Sequence, residues 1–247
     1  MTTNRADRIK ALLKSIETGD PEPIKVVDQQ RYIQHNPQTH EGSEGLESLF
    51  KRLSQTNPRV NIVRAFEDGD YVFAHTEYDF SRRNIGFEVF RFEGDYAVEH
   101  WDNIQPRRGP NPSGNSMVDG PVEATDPDRT EDNRALVRAF TQDALISRDP
   151  SAAAAYVSPA LIQHNPEMEN GLAALQTRIG ALPHYKHLHR VLACGNFVLA
   201  VSEGDEDGRV MSLYDLYRLE AGQIVEHWDT LEKVPPKEEW KNDNGKF

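Results

Sequence analysis

The first apolar residues of the chain, Ile9, Leu12, Leu13 and Ile16, fall three and four positions apart, the spacing of one buried helix stripe. A short second helix is predicted through Ile24 and Val27, and a third along Leu46, Leu49, Phe50 and Leu53. The pattern then changes period. The runs VNIVRAF, DYVFAHTEYDF, GFEVFRF and YAVEHWDNI are rich in β-branched and aromatic residues and are broken by turn residues, which predicts consecutive antiparallel strands. Helices followed by a run of strands make an α+β fold rather than a βαβ one. The helix stripes have only the sheet to pack on, so the helices should cover one face of a bent antiparallel sheet.

The whole order is then written again. Leu136, Phe140 and Leu145 roughly echo the first helix, and Leu172, Leu175 and Ile179 the third. IQHNP occurs at Ile33 and again at Ile162; VEHWD occurs at Val98 and again at Val225. Two identical blocks in the same order mark a tandem duplication. Five prolines and three glycines in 105–128 break regular structure and read as a linker. The expected organisation is a copy at 1–108, a linker at 109–128, a second copy at 129–238 and a polar tail at 239–247.

Composition narrows the partners. The 247 residues carry a net charge of −12 and no basic stripe, which argues against nucleic acid or an anionic membrane surface. No apolar run reaches the ~20 residues of a membrane span, and the first residues lack the apolar core of a secretory signal. With a single cysteine, Cys194, no internal disulfide is expected, and a reducing cytoplasm fits.

The repeated blocks hold the candidate chemistry. Strand alternation sets Val98, His100, Asp102 and Ile104 on one face and Glu99, Trp101 and Asn103 on the other; Val225, His227, Asp229 and Leu231 follow suit in the second copy. An imidazole and a carboxylate about 7 Å apart on a partly apolar face suit general acid/base work near neutral pH. A two-residue turn at Gly94-Asp95 would pair 91 with 98, which puts Val89 and Arg91 on the His100 face and Glu88, Phe90 and Phe92 beside Trp101. A β-bulge would exchange these faces and bring in Glu88 and its counterpart Asp215. The second face is more apolar than solvent requires and is expected to pack between the copies as an intramolecular pseudo-dimer, or between chains. His35 and His164 precede Asn-Pro at an element end, where they either join the site or brace the turn. His75 becomes Val201 in the second copy and is dispensable to the fold, while His184, His187 and His189 read as a polar loop. His35, His100 and Asp102 could form a facial metal triad, but no metal and no cofactor is expected.

The ordered set YIQHNP, GLESL and FEVFRFEGDYAVEHWDNIQP resembles the SnoaL-like polyketide cyclase family of the nuclear transport factor two-like superfamily, and LIQHNP, GLAAL and YDLYRLEAGQIVEHWD resembles it equally. The resemblance implies two tandem cone-shaped α+β barrels, each with a pocket in its concavity. It implies a cofactor-independent enzyme on a small apolar carbonyl compound, with Asp102 and Asp229 as acid/base and His100, His227, His35 and His164 as pocket partners. Family members usually have Asp where the first copy has Glu88. Relatives of this fold include isomerases, dehydratases and epoxide hydrolases, and the other reading is a small-molecule-binding protein without turnover.

Overall fold

A computed structural model of the chain describes residues 4–181 and 183–247, the side chains of 43 and 44 excepted. The chain divides into two compact units. One holds the chain up to Pro106 together with Val234–Phe247; the other is Arg107–Lys233. Each is α+β, as the apolar pattern predicts.

The first unit opens with α1 (Arg5–Thr18). Asn4 caps it by accepting from the Asp7 amide, and Gly19 ends it at a φ of 71°, a left-handed position that suits glycine. A 3-10 turn (Pro23–Val26), a two-residue strand β1 (Ile33–Gln34) and α2 (Gly42–Ser54) follow. Four strands complete it: β2 (Arg59–Asp68), β3 (Tyr71–Asp79), β4 (Arg83–Glu93) and β5 (Tyr96–Pro106). The sheet order is β1-β5-β4-β3-β2, with β1 parallel to β5 and the rest antiparallel. Ile9, Leu12, Leu13 and Ile16 of α1 and Leu46 of α2 pack on Val60, Val72, Tyr78, Phe90 and Phe92, so the core lies between the helices and one sheet face.

The second unit repeats this order with α3 (Thr130–Phe140), β6 (Val157–Gln163), α4 (Leu172–Ile179), β7 (His184–Cys194), β8 (Phe197–Glu206), β9 (Arg209–Glu220) and β10 (Gln223–Lys233), in sheet order β6-β10-β9-β8-β7. Helix α3 runs on into a π-helical turn over Thr141–Ile146. That wider turn explains the five-residue step from Phe140 to Leu145: both stay buried because one extra residue is absorbed there. His184, His187 and His189 lie within β7 rather than in a loop.

Two expectations change. The hairpin register carries a bulge: Phe92 pairs with Ala97, but Arg91 pairs with Glu99, so Val98 is the extra residue. In β10 the extra residue is Val225, between Ile224 opposite Leu219 and Glu226 opposite Arg218. Glu88 therefore faces Asp102 and Asp215 faces Asp229, and it is these carboxyls, not Arg91 and Val89, that share the His/Asp face.

The segments expected as linker and tail are also packed. Asn111 and Asn115 both donate to Gln163 O at the end of β6, and Trp228 Nε1 donates to Asp119 O, which ties 107–120 into the second unit. Asn242 donates to the carbonyls of Asn36 and Thr39 and Asn244 to that of Gln34, which ties the C-terminal residues into the first. The turn-forming asparagines that break regular structure serve here as donors to strand-end carbonyls. No helix among the described residues is long and apolar enough to cross a membrane.

Candidate active site

Adjacent strands β4 and β5 bring Glu88, His100 and Asp102 together, all buried. His100 Nδ1 lies 3.0 Å from Gln34 Oε1, and that oxygen also accepts from the Asn36 amide. An oxygen fixed in this way makes Nδ1 an N–H donor. His100 Nε2 then faces Glu88 Oε2 at 2.7 Å, and one proton is shared across that contact. Tyr78 donates its hydroxyl to Glu88 Oε1 at 2.7 Å. Burial raises the Glu88 carboxyl, against the His100 contact that lowers it. Burial also keeps Tyr78 a phenol, well above its ordinary range.

Asp102 is treated differently. Asn36 Nδ2 donates to Oδ2 at 2.6 Å, its orientation fixed because Asn36 Oδ1 accepts from the Gln38 amide. Lys246 Nζ lies 3.3 Å from Oδ1, with its side chain 1% exposed. Burial works to raise this carboxyl, but the Lys246 ammonium, His100 and Asn36 outweigh it and hold Asp102 below the usual carboxylate range. The triad looks into a cavity of about 180 Å³ whose wall is apolar, with Leu12, Ile16, Leu46, Phe50, Phe90 and Ile104 among its lining residues.

The second unit repeats the network with changed surroundings. His227 Nδ1 lies 2.9 Å from Gln163 Oε1 and Nε2 lies 2.9 Å from Asp215 Oδ1; Asn165 donates to Asp229 Oδ2 at 2.6 Å. The hydroxyl on the paired carboxyl comes from Tyr185, not from the position of Tyr78. Register places Gly204 where the first unit has Tyr78 and sets Tyr185 directly across from it. Burial and the neighbouring Asp215 raise Asp229. Burial lowers His227, yet its contact with Asp215 and the charge of both aspartates win, and the imidazole is raised. The cavity here is only about 30 Å³, room for a water molecule.

His35 and His164 do not enter these pockets. His35 stacks on Trp101 at 4.6 Å on the opposite sheet face, with Nε2 2.9 Å from Glu99 and Nδ1 donating to Gly245 O. His164 stacks on Trp228 at 4.7 Å, 2.8 Å from Glu226 and donating to Ser116 O. Both brace the segment that follows the other repeat's last strand. In IQHNP it is Gln34 and Asn36, the neighbours of the histidine, that face the site. His75 also points away, stacked on Phe87. Sequence reasoning missed Lys246, which sits in a stretch read as a polar tail; an isolated lysine there gives no signal.

Neither triad is read as a metal site, although Glu88, His100 and Asp102, and equally Asp215, His227 and Asp229, each bring three donor atoms within 4.8 Å of one another. In the first unit the Lys246 ammonium already pairs with Asp102. In both, the His Nε2 is taken up by a carboxyl that also receives a tyrosine hydroxyl.

Neither a family model nor a curated protein sequence matches the chain. Solved structures it is similar to include several described as NTF2-like proteins, each matched over 44–46% of this chain. A proposed ketosteroid isomerase from Kribbella flavida is 20% identical, covering 44% of this chain and 84% of its own, at a TM-score of 0.40. IdmH of Streptomyces antibioticus, a proposed polyketide cyclase, is 16% identical over 42% of this chain and 93% of its own, at 0.37. An epoxide hydrolase of Mycobacterium tuberculosis described as LEH-like is 18% identical over 42% and 85%, at 0.36. The likeness is one of fold.

Proposed function

We propose that the first unit is a cofactor-independent acid/base catalyst acting on a small, largely apolar carbonyl compound. The observation that carries this reading is a pair of carboxyls in one apolar cavity whose environments push them apart, Glu88 raised and Asp102 lowered. Such a split assigns an acid and a base within one site. Asp102, kept ionised, takes a proton from the carbon next to the carbonyl. The proton shared by Glu88 and His100 passes to the developing enolate oxygen. The C–H bond breaks and an O–H bond forms. In an isomerisation Asp102 returns its proton to another carbon as the O–H proton goes back to Glu88 and His100. In a ring closure the enol carbon instead bonds to a second carbonyl carbon, whose π bond breaks as its oxygen takes the proton from Asp102. The lowered Asp102 stays ionised at neutral pH, and stabilisation of the enolate by the proton from Glu88 and His100 offsets its weakness as a base. A cavity of about 150 Å³ accepts benzene, so about 180 Å³ suits a ligand of one ring or a short chain. The second unit, with room for a water only, is not assigned turnover.

Hydrogen–deuterium exchange next to the carbonyl of small cyclic and aromatic ketones, followed by NMR in deuterated water, tests this. The intact chain should accelerate exchange, and Asp102→Asn should lower the rate by about 10²-fold or more. Unchanged exchange in a variant with native circular dichroism would remove Asp102 as the base. Ligand binding without any exchange by the wild type would make the pocket a binding site alone.

A further inference from the structure

We infer that Lys246 is a positioning residue of the first site, through which the C-terminal segment fixes the charge and orientation of Asp102. The segment is anchored along the residues that lead up to the lysine. Asn242 donates to Asn36 O and Thr39 O at 2.8 and 2.9 Å, Asn244 donates to Gln34 O at 3.0 Å, and Gly245 O accepts from His35 Nδ1 at 2.9 Å. These anchors grip the same stretch, 34–39, that supplies Gln34 to His100 and Asn36 to Asp102. Lys246 follows directly and lies buried, its ammonium 3.3 Å from Asp102.

The second unit holds the same device with one part exchanged. Asn115 donates to Gln163 O, the next carbonyl, Ser116 O, accepts from His164 Nδ1, and the residue after it is Met117, 3% exposed. Asn244, Gly245 and Lys246 thus correspond to Asn115, Ser116 and Met117. Equivalent anchors, each with a histidine stacked on a tryptophan, are followed in the first unit by an ammonium that meets Asp102 and in the second by a buried methionine whose sulfur accepts from the Arg108 amide. Desolvation strongly penalises a buried ammonium unless it is paired. Packing alone would be served as well by the methionine that stands in the second unit. The lysine is therefore explained by the carboxylate it meets.

Charged and titratable groups face Asp102 from every element around it. They are Lys246 of the C-terminal segment, His100 on its own strand, Glu88 on β4, Tyr78 on β3 and Tyr32 ahead of β1, while Arg52 of α2 lines the same cavity. Glu88 is acidic and the tyrosines stay neutral; of the groups that favour the ionised Asp102, Lys246 pulls most strongly, ahead of His100 and Asn36. The catalytic consequence rests on the acid/base reading above; the electrostatic one does not.

The test separates the two. In the full chain with ¹³C-labelled aspartate, the Asp102 side-chain carbon is followed by NMR across pH in wild type, Lys246→Met and Lys246→Arg. The titration of Asp102 should move to higher pH in Lys246→Met and return toward wild type in Lys246→Arg; the reciprocal Met117→Lys should move Asp229 to lower pH. An Asp102 titration indifferent to Lys246→Met overturns the inference, whatever the activity. If carbonyl exchange is catalysed, Lys246→Met should lower its rate about tenfold near pH 5 and less than about threefold near pH 8, since only the ionised base works. Absence of exchange in the wild type, with the titration shift present, would sink the acid/base reading and leave Lys246 in its role. Should Lys246→Met fail to fold, Asp102→Asn/Lys246→Met removes both charges: recovery of folding supports the pair, and continued failure makes the lysine a packing residue and overturns the inference.

Discussion

The two pockets of this chain share a fold, a hydrogen-bond network and a sequence motif, yet one is a cavity and the other is nearly filled. Gln34, Asn36, His100 and Asp102 have counterparts in Gln163, Asn165, His227 and Asp229 with the same partners at nearly the same distances. The differences sit around that frame. Thr39 lines the first pocket, where the aligned Met168 lines the second and takes up its space. Lys246 meets Asp102, whereas the residue that follows the equivalent anchors in the second unit is Met117. The tyrosine hydroxyl on the paired carboxyl has changed strands. In the first unit Val60 lies across from Tyr78; in the second Tyr185 lies across from Gly204, where a Cβ would come within 2.6 Å of Leu213. The hydroxyl is kept although its position is not, which shows that the contact, rather than the residue, is under constraint. A buried carboxyl must have a donor, and either strand can supply it. What each carboxyl does next depends on charge and space, and there the copies part.

The largest effect expected from this contrast concerns the buried ion pair. Asp102→Ala leaves Lys246 buried without its carboxylate and should cost about 3–5 kcal/mol in denaturant unfolding. Asp229→Ala strands the Asn165 amide but no ammonium partner of the Lys246 kind, and should cost about 1–2 kcal/mol. Removing both charges with Asp102→Ala/Lys246→Met should recover most of the first loss. Equal losses at Asp102 and Asp229 would mean that the lysine makes no difference between the units.

Next in size is the exchange of Thr39 and Met168. Met168→Ala should cost about 2–4 kcal/mol by leaving a cavity, and it should let the second pocket accept a small apolar probe such as benzene or xenon. Thr39→Met should fill the first pocket and abolish probe binding there at a stability change of about 1–3 kcal/mol. A second pocket that stays closed in a crystal of Met168→Ala would assign its small volume to backbone packing instead.

Much of this was legible in the sequence, and what was not has physical causes. The duplication, the α+β order and the pairing of His100 with Asp102 follow from repeated blocks and from periods of 3.6 and 2. Glu88 and Asp215 became full members of the site only through the bulges at Val98 and Val225, since one extra residue turns a neighbouring strand over. His35 and Asn36 are adjacent and polar, so the sequence cannot say which of them looks inward. The parallel pairing of β1 with β5 decides it, setting Gln34 beside His100 and sending the His35 ring to Trp101. Lys246 lies 144 positions from the aspartate it serves. Such a contact rests on the path of an irregular segment, which no periodicity records.

The smallest expected effect is the opposite pH dependence of the two aspartates. In the unfolded chain both should titrate near 3.9. Asp102 is lowered in the fold, so its contribution to stability is present above that value and is lost as pH falls through its folded pKa. Asp229 is raised, so its contribution is present below about 3.9 and is lost as pH rises through its folded pKa. His227, also raised, acts in the same direction as Asp229 in a higher window, from its unfolded value near 6.5 upward. The separating measurement is the unfolding free energy of wild type against Asp229→Asn, which keeps the side-chain volume and removes the charge. Between about pH 4 and pH 7 the variant should gain on wild type by an amount on the order of 1 kcal/mol, because only the wild type must ionise a buried carboxyl as pH rises. For Asp102→Asn the corresponding change lies below about pH 4, and its sign is reversed. If the two variants diverge from wild type in the same direction over the same range, then Lys246 does not set the ionisation of Asp102 apart from that of Asp229.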